Sequence, residues 1–192
     1  MKTPSASRFP IPEFEDLPED IQQAISNVQE RAGFVPNVFV ALSHRPDEFR
    51  AFFAYHDALM EKSSGLTKAE REMIVVATSA QNNCLYCVVA HGAILRIREK
   101  HPLIADQIAA NYHKADITSR QKTMLDFAVK VCNESWTVNE GDFESMRSAG
   151  FCDEDIWDVA AITALFGLSN RLANALSIEP NEEFYAMARD FD

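Results

Sequence analysis

Leu66-Thr67-Lys68-Ala69-Glu70-Arg71-Glu72-Met73-Ile74 leads through Ala77 and Ala80 into Gln81-Asn82-Asn83-Cys84-Leu85-Tyr86-Cys87 and on to His91. This stretch decides the fold. Thr67 and Glu70 form a capping box, in which the Thr hydroxyl accepts from a free backbone N–H and the Glu reaches back to the cap. Met73, Ile74, Ala77 and Ala80 follow at the spacing of a helix's buried face. Gln81-Asn82-Asn83 breaks the run with residues that favour turns. A second helix then begins around Asn83 or Cys84 and continues to about Lys100. The two helices and their short break predict an antiparallel hairpin.

Outward from the hairpin the chain reads as helix after helix. Leu17-Pro18-Glu19-Asp20 opens one that runs to about Arg31 and ends at Gly33. Pro36 opens a short second one. Pro46-Asp47-Glu48 opens a third through Phe49, Phe52, Phe53, His56 and Met60, with Gly65 as its close, and Pro102 starts another after Lys100. No stretch alternates apolar and polar residues between hairpin turns, which argues against a sheet. The predicted fold class is all-α. Residues 1–17 are Pro-rich (Pro4, Pro10, Pro12) and read as an extended N-terminal arm, with residues 18–192 as one domain. The capped pattern of Leu66–Ile74 returns in Ile117-Thr118-Ser119-Arg120-Gln121-Lys122-Thr123-Met124-Leu125, but the second copy has Thr123, Ser135 and Val138 opposite Glu72, Cys84 and Cys87. A duplicated helical unit and two ordinary capped helices both remain open. The last long helix, Asp153 to about Leu176, is apolar over much of its circumference, as a helix in a core or an oligomer interface is.

Composition narrows the function. At 192 residues with 47% hydrophobic content the chain can build a sizeable core. A net charge of -11 argues against nucleic acid and against an anionic membrane surface, both of which call for clustered Lys and Arg. The start has no apolar signal region. The most apolar stretch, Val159 to Leu168, is interrupted by Thr163 and Gly167 and reads as too short for a membrane span. The expected location is a reducing cytoplasm, where a close cysteine pair points to catalysis or metal binding rather than to a staple.

Cys84 and Cys87 are such a pair. Three residues apart, they can meet in the first turn of a helix, where free N–H groups and the positive end of the dipole favour thiolate. His91 stands one turn beyond Cys87. Glu72 lies about as far before the turn as His91 lies after it, so the hairpin sets the carboxylate and the imidazole at one height. The spacing suggests a relay from Glu72 to His91 to Cys87, with Cys84 available to close a disulfide. A structural zinc site lacks a second ligand pair, since Cys132 and Cys152 are isolated, and no metal is expected. His56 sits on an aromatic helix, either as a packing residue or lining the thiol pocket. Asn170 and Arg171, polar in an apolar helix, could bind a substrate acid or cap and pair with a neighbour.

With Glu72, Cys84, Cys87 and His91 set in Ser79–His91, the pattern resembles the AhpD-like alkylhydroperoxidases of the carboxymuconolactone decarboxylase superfamily, and Asn170–Leu176 looks like a segment of their peroxidase-related branch. The resemblance implies an AhpD-like helical bundle with internally related units, assembled as homo-oligomers, with trimers and hexamers among the options. It implies a thiol-dependent peroxidase or disulfide reductase acting on a hydroperoxide, reset by an external dithiol or redox-protein reductant, with no flavin, haem or metal cofactor. By resemblance Cys87 is the peroxidatic thiol, Cys84 the resolving one, and Glu72 and His91 the relay. A decarboxylase-type enzyme or a non-catalytic redox sensor on the same fold is the alternative. One departure stands out: Tyr86 occupies the place before the second cysteine where the best-known members carry His. Tyr titrates near pH 10 and shuttles protons poorly at neutral pH, so Tyr86 reads as a substrate-pocket or packing residue.

Overall fold

The hairpin forms as its caps require. In the computed structural model, which describes residues 6–190, the Thr67 hydroxyl accepts from the Glu70 amide at 3.1 Å and the Glu70 carboxylate accepts from the Thr67 amide at 2.9 Å. The described residues hold α1 (Glu19–Ala32), α2 (Asn37–Leu42), α3 (Pro46–Met60), α4 (Lys68–Gln81), α5 (Leu85–Glu99), α6 (Ile104–Asn111), α7 (Ser119–Glu134), α8 (Glu140–Ser148), α9 (Asp153–Leu176) and α10 (Glu182–Ala186). No strand occurs among them, so the fold is all-α.

α4 is the axis of the molecule. Every residue from Ala69 to Ser79 is buried, and α5, α6, α7 and α9 pack around it. Met73, Ile74, Val75, Val76 and Ala77 join Leu125, Ala128, Ile156, Val159, Ile162 and Phe166 in the main core. A helix buried all round must also satisfy its polar side chains inside the protein. Arg71, wholly buried, donates to the Leu59 carbonyl and the Ser64 hydroxyl, and its Nη2 lies 3.3 Å from the buried Asp158 carboxylate on α9. Lys62 pairs with the other Asp158 oxygen at 2.6 Å. Glu70 pairs with Arg120 on α7.

Several sequence boundaries move. α3 ends at Met60, before Gly65. Gly65 serves a different purpose: a Cβ there would lie 2.5 Å from both Asp155 carboxylate oxygens, so glycine leaves room for the Asp155 side chain in the first turn of α9. At Gly33 the expected stop holds, with φ 82° in the left-handed region and its amide on the Gln29 carbonyl. α8 and α10 have no counterpart in the sequence reading. Both are short, and each buries one side chain, Met146 and Phe184, too few for a visible period. The Thr118–Gln121 cap repeats the Thr67–Glu70 geometry. Beyond the cap the copies diverge: α4 is followed by α5, whereas α7 gives way to a 3-10 turn at Ser135–Thr137.

The described part of the N-terminal segment lies against the body. The Arg8 amide donates to the Leu176 carbonyl at 2.8 Å, Phe14–Asp16 forms a 3-10 turn, and Leu17 is buried with Ile21, Ile25 and Phe49. α9 spans the residues read from the sequence. It is one 24-residue helix, long and apolar enough by those two measures to cross a membrane. Here one side enters the core through Ile156, Val159, Ile162 and Phe166 and carries the paired Asp158, while Trp157, Leu168 and Leu172 stay exposed.

Removing Asp158 strands the buried Arg71 cation, whereas removing Lys62 leaves Asp158 with its Arg71 partner. Asp158→Ala is therefore expected to lower unfolding stability by about 3–5 kcal/mol, and Lys62→Ala by about 1 kcal/mol or less. Urea denaturation of the two variants measures the difference.

Candidate active site

The α4–α5 turn places the cysteines. Asn83 takes a left-handed conformation (φ 52°), which asparagine tolerates, and the Cys84 amide returns to the Ser79 carbonyl at 3.0 Å. Cys84 thereby becomes the N-cap of α5 and Cys87 falls in its first turn. Both are free thiols with 1% exposure.

Their surroundings divide the charge between them. The Cys87 thiol donates to the Cys84 sulfur, and this contact leads the causes that hold the Cys84 thiol down at about 7 despite its burial. The Cys87 amide, the Asn170 side chain and the charge on His91 act in the same direction. The sulfur does not close a full capping hydrogen bond, so the helix end contributes less than the neighbouring thiol does. Cys87 is pushed well above the ordinary thiol range, first by its bond to Cys84 and then by burial. The two thiols are thus tuned as a coupled pair, one held low and the other pushed up.

The Glu72–His91 contact is present as the hairpin spacing suggests. His91 Nδ1 lies 2.7 Å from Glu72 Oε2, with the side chains 13% and 10% exposed. An ionised carboxylate accepts the Nδ1 proton and leaves Nε2 free for proton exchange. The edge of the His91 ring meets Phe166 at 4.7 Å between centroids, which fixes its plane. The sequence drew this relay straight to Cys87. In the structure the charge of His91 is among the influences that lower the Cys84 thiol.

α9 supplies what the sequence reading lacked. Ser169 Oγ lies 3.8 Å from the Cys87 sulfur. Asn170, fully buried, donates to Ser79 Oγ at 2.9 Å, accepts from Asn82 Nδ2 at 3.0 Å, and its side-chain amide helps lower both thiols. Asparagine on the buried side of an apolar helix was the available signal. It pointed to a substrate acid or a cap, and the structure gives it to the sulfurs. Arg171 turns away and bonds the Gly167 carbonyl of its own helix.

Of the two readings of Tyr86, the packing one fits its surroundings: it is buried, its hydroxyl accepts from the Val38 amide at 3.2 Å, and burial raises its pKa, so it packs α5 against α2. His56 does approach the site, with its ring 6.5 Å from that of His91 and 6.2 Å from that of Phe166. Among the described residues no three His, Cys, Asp or Glu side chains are grouped as metal ligands.

The sequence pattern of the carboxymuconolactone decarboxylase family matches residues 46–110. A crystal structure of an alkylhydroperoxidase AhpD core, an uncharacterized peroxidase-related protein from Ralstonia eutropha, is 68% identical with a TM-score of 0.97, covering 99% of this chain and 100% of that one. An uncharacterized peroxidase-related protein from Silicibacter sp. is 39% identical with a TM-score of 0.93, covering 98% and 99%. The debrominase Bmp8, at 16% identity and a TM-score of 0.74 over 94% of this chain and 97% of its own, shares the fold. No curated protein matches the sequence.

The hydrogen bond from Cys87 is the largest cause of the low Cys84 value, so its loss has a fixed sign. The ultraviolet absorbance of the thiolate is expected to appear as pH rises through about 7 in the wild type. In Cys87→Ala, which removes the donor altogether, that midpoint moves upward.

Proposed function

The chain belongs to the AhpD-like group of the carboxymuconolactone decarboxylase superfamily, and on that footing we propose that it is a thiol-dependent peroxidase. It reduces hydroperoxides with the Cys84–Cys87 pair and is reset by an external dithiol or redox-protein reductant. The observation that carries the reading is a buried pair sharing one proton near neutral pH beside a carboxylate-anchored imidazole. Nucleophilic chemistry uses the thiolate, and this arrangement provides one at neutral pH.

The steps follow from the pair. The proton in the sulfur–sulfur contact shifts from Cys87 to Cys84, which leaves the thiolate on Cys87. Cys87 attacks the terminal peroxide oxygen, the O–O bond breaks, and the alkoxide takes the proton from Cys84 and leaves as alcohol. Cys87 is now a sulfenic acid, and the Cys84 thiolate attacks its sulfur, forming the disulfide and expelling hydroxide. A proton delivered through His91 converts the hydroxide to water. Glu72 holds His91 in the tautomer that presents Nε2 and stabilises the imidazolium. Asn170 and Ser169 donate to the sulfurs as the charge moves between them. An external dithiol then reduces the disulfide and restores both thiols. The exposed Trp157, Leu168 and Leu172 on α9 support assembly of the chain with copies of itself.

Cys87→Ser is expected to abolish peroxide turnover with a supplied dithiol. In Cys84→Ser, peroxide should leave a sulfenic acid on Cys87 that a dimedone probe labels, as peptide mass spectrometry would locate; label on Cys84 in Cys87→Ser, with none on Cys87 in Cys84→Ser, would reverse the roles. His91→Gln should slow turnover by about a hundredfold while leaving the far-ultraviolet circular dichroism unchanged.

A further inference from the structure

The proton that returns to the site must come from solvent, and the structure holds a second imidazole on that route. Above pH of about 7 the resting pair has one proton for two sulfurs. Oxidation releases one alkoxide and one hydroxide, which need two protons, so one is taken up from outside in each oxidation and given back in each reduction. Cys84 and Cys87 are both buried, and the Glu72 and His91 side chains are themselves only 10% and 13% exposed. His56 on α3 has a side chain 24% exposed, and its ring centroid lies 6.5 Å from that of His91. Rings at that separation can exchange a proton through one bridging water.

We propose that His56 is the proton port of the site, carrying protons between bulk water and the His91–Glu72 pair; the assignment rests on the thiol-redox reading above. His56 is anchored for the purpose. Its Nδ1 lies 3.0 Å from the exposed Asp57 carboxylate, which leaves Nε2 free. The Phe53 and Phe166 rings flank it at 6.3 and 6.2 Å and hold the imidazole beside the site. The charged groups around it are Asp57 and Glu61 from its own helix and, from α5, His91 with its Glu72 partner from α4. Glu61 is itself paired with Lys68. His56 touches neither sulfur in this account. It acts through His91, as a proton-transfer and positioning residue.

The experiment is single-turnover oxidation of the reduced full chain in weakly buffered solution, followed by thiol titration, for wild type, His56→Ala and His56→Phe. Two oxidants are used separately, hydrogen peroxide and a small linear disulfide, because both require the same proton uptake. Both variants should oxidise about tenfold more slowly or worse, with the same final disulfide yield and the same thiolate midpoint. Added free imidazole should restore His56→Ala, where the vacated space admits it, and leave His56→Phe slow. Unchanged rates in both variants, or a slow His56→Ala that imidazole does not restore, would overturn the port. Wild type that reacts with the disulfide but not with peroxide would defeat the peroxidase reading while still testing His56. Wild type inert to both oxidants overturns both.

Discussion

The structure depends on one constraint: α4 is buried on every side yet carries Glu70, Arg71, Glu72, Thr78 and Ser79. A buried polar group without a partner costs about as much as several well-packed methyl groups contribute. All of these side chains but Thr78 therefore fix the position of another element. Arg71 draws in the end of α3 through the Leu59 carbonyl and α9 through Asp158, and Glu70 draws in α7 through Arg120. Glu72 takes His91 from α5, and Ser79 takes Asn170 from farther along α9. Thr78 is satisfied within α4 by the Ile74 carbonyl. The apolar core would tolerate some sliding of these helices. The polar pairs do not, because a displaced helix leaves a buried donor or acceptor empty.

The active site is part of the same arrangement. The Glu72–His91 and Ser79–Asn170 contacts are at once helix–helix contacts and the parts that tune the cysteines. Burial alone would raise both thiols, and Cys87 shows that effect. Cys84 escapes it because hydrogen bonds from Cys87 and Asn170 and the nearby imidazole outweigh desolvation. The pair becomes acidic as a unit while being kept from bulk water, which limits side reactions of a thiolate and of a sulfenic acid. The departure at Tyr86 has a structural reason. The hydroxyl at that position is anchored on the Val38 amide of α2.

What was legible in the chain followed short-range rules. Thr67 with Glu70 and Thr118 with Gln121 set helix starts, Gly33 set a stop, and Asn82-Asn83 set the hairpin turn, because caps and turns are made by residues a few positions apart. The level meeting of Glu72 and His91 followed from the helical rise once the turn was known. The short α8 and α10, the docking of the segment around Arg8 and the role of Gly65 were not legible, because each depends on a surface assembled from distant parts.

By itself, then, the sequence determined an all-α chain, a helix hairpin, and four side chains gathered on it, since helical geometry converts spacing into direction with no outside help. It could not apportion the charge within the cysteine pair. From spacing, His91 belongs to Cys87, one turn away. Only the tertiary structure brought Ser169 and Asn170 from α9 to the cysteines and set His91 against Phe166, and with them the groups that tune the pair. The same packing brought His56 of α3 beside His91. The reason is physical: acidity in a buried site is the small difference between desolvation and a few directed hydrogen bonds, and those bonds come from residues far away in the chain.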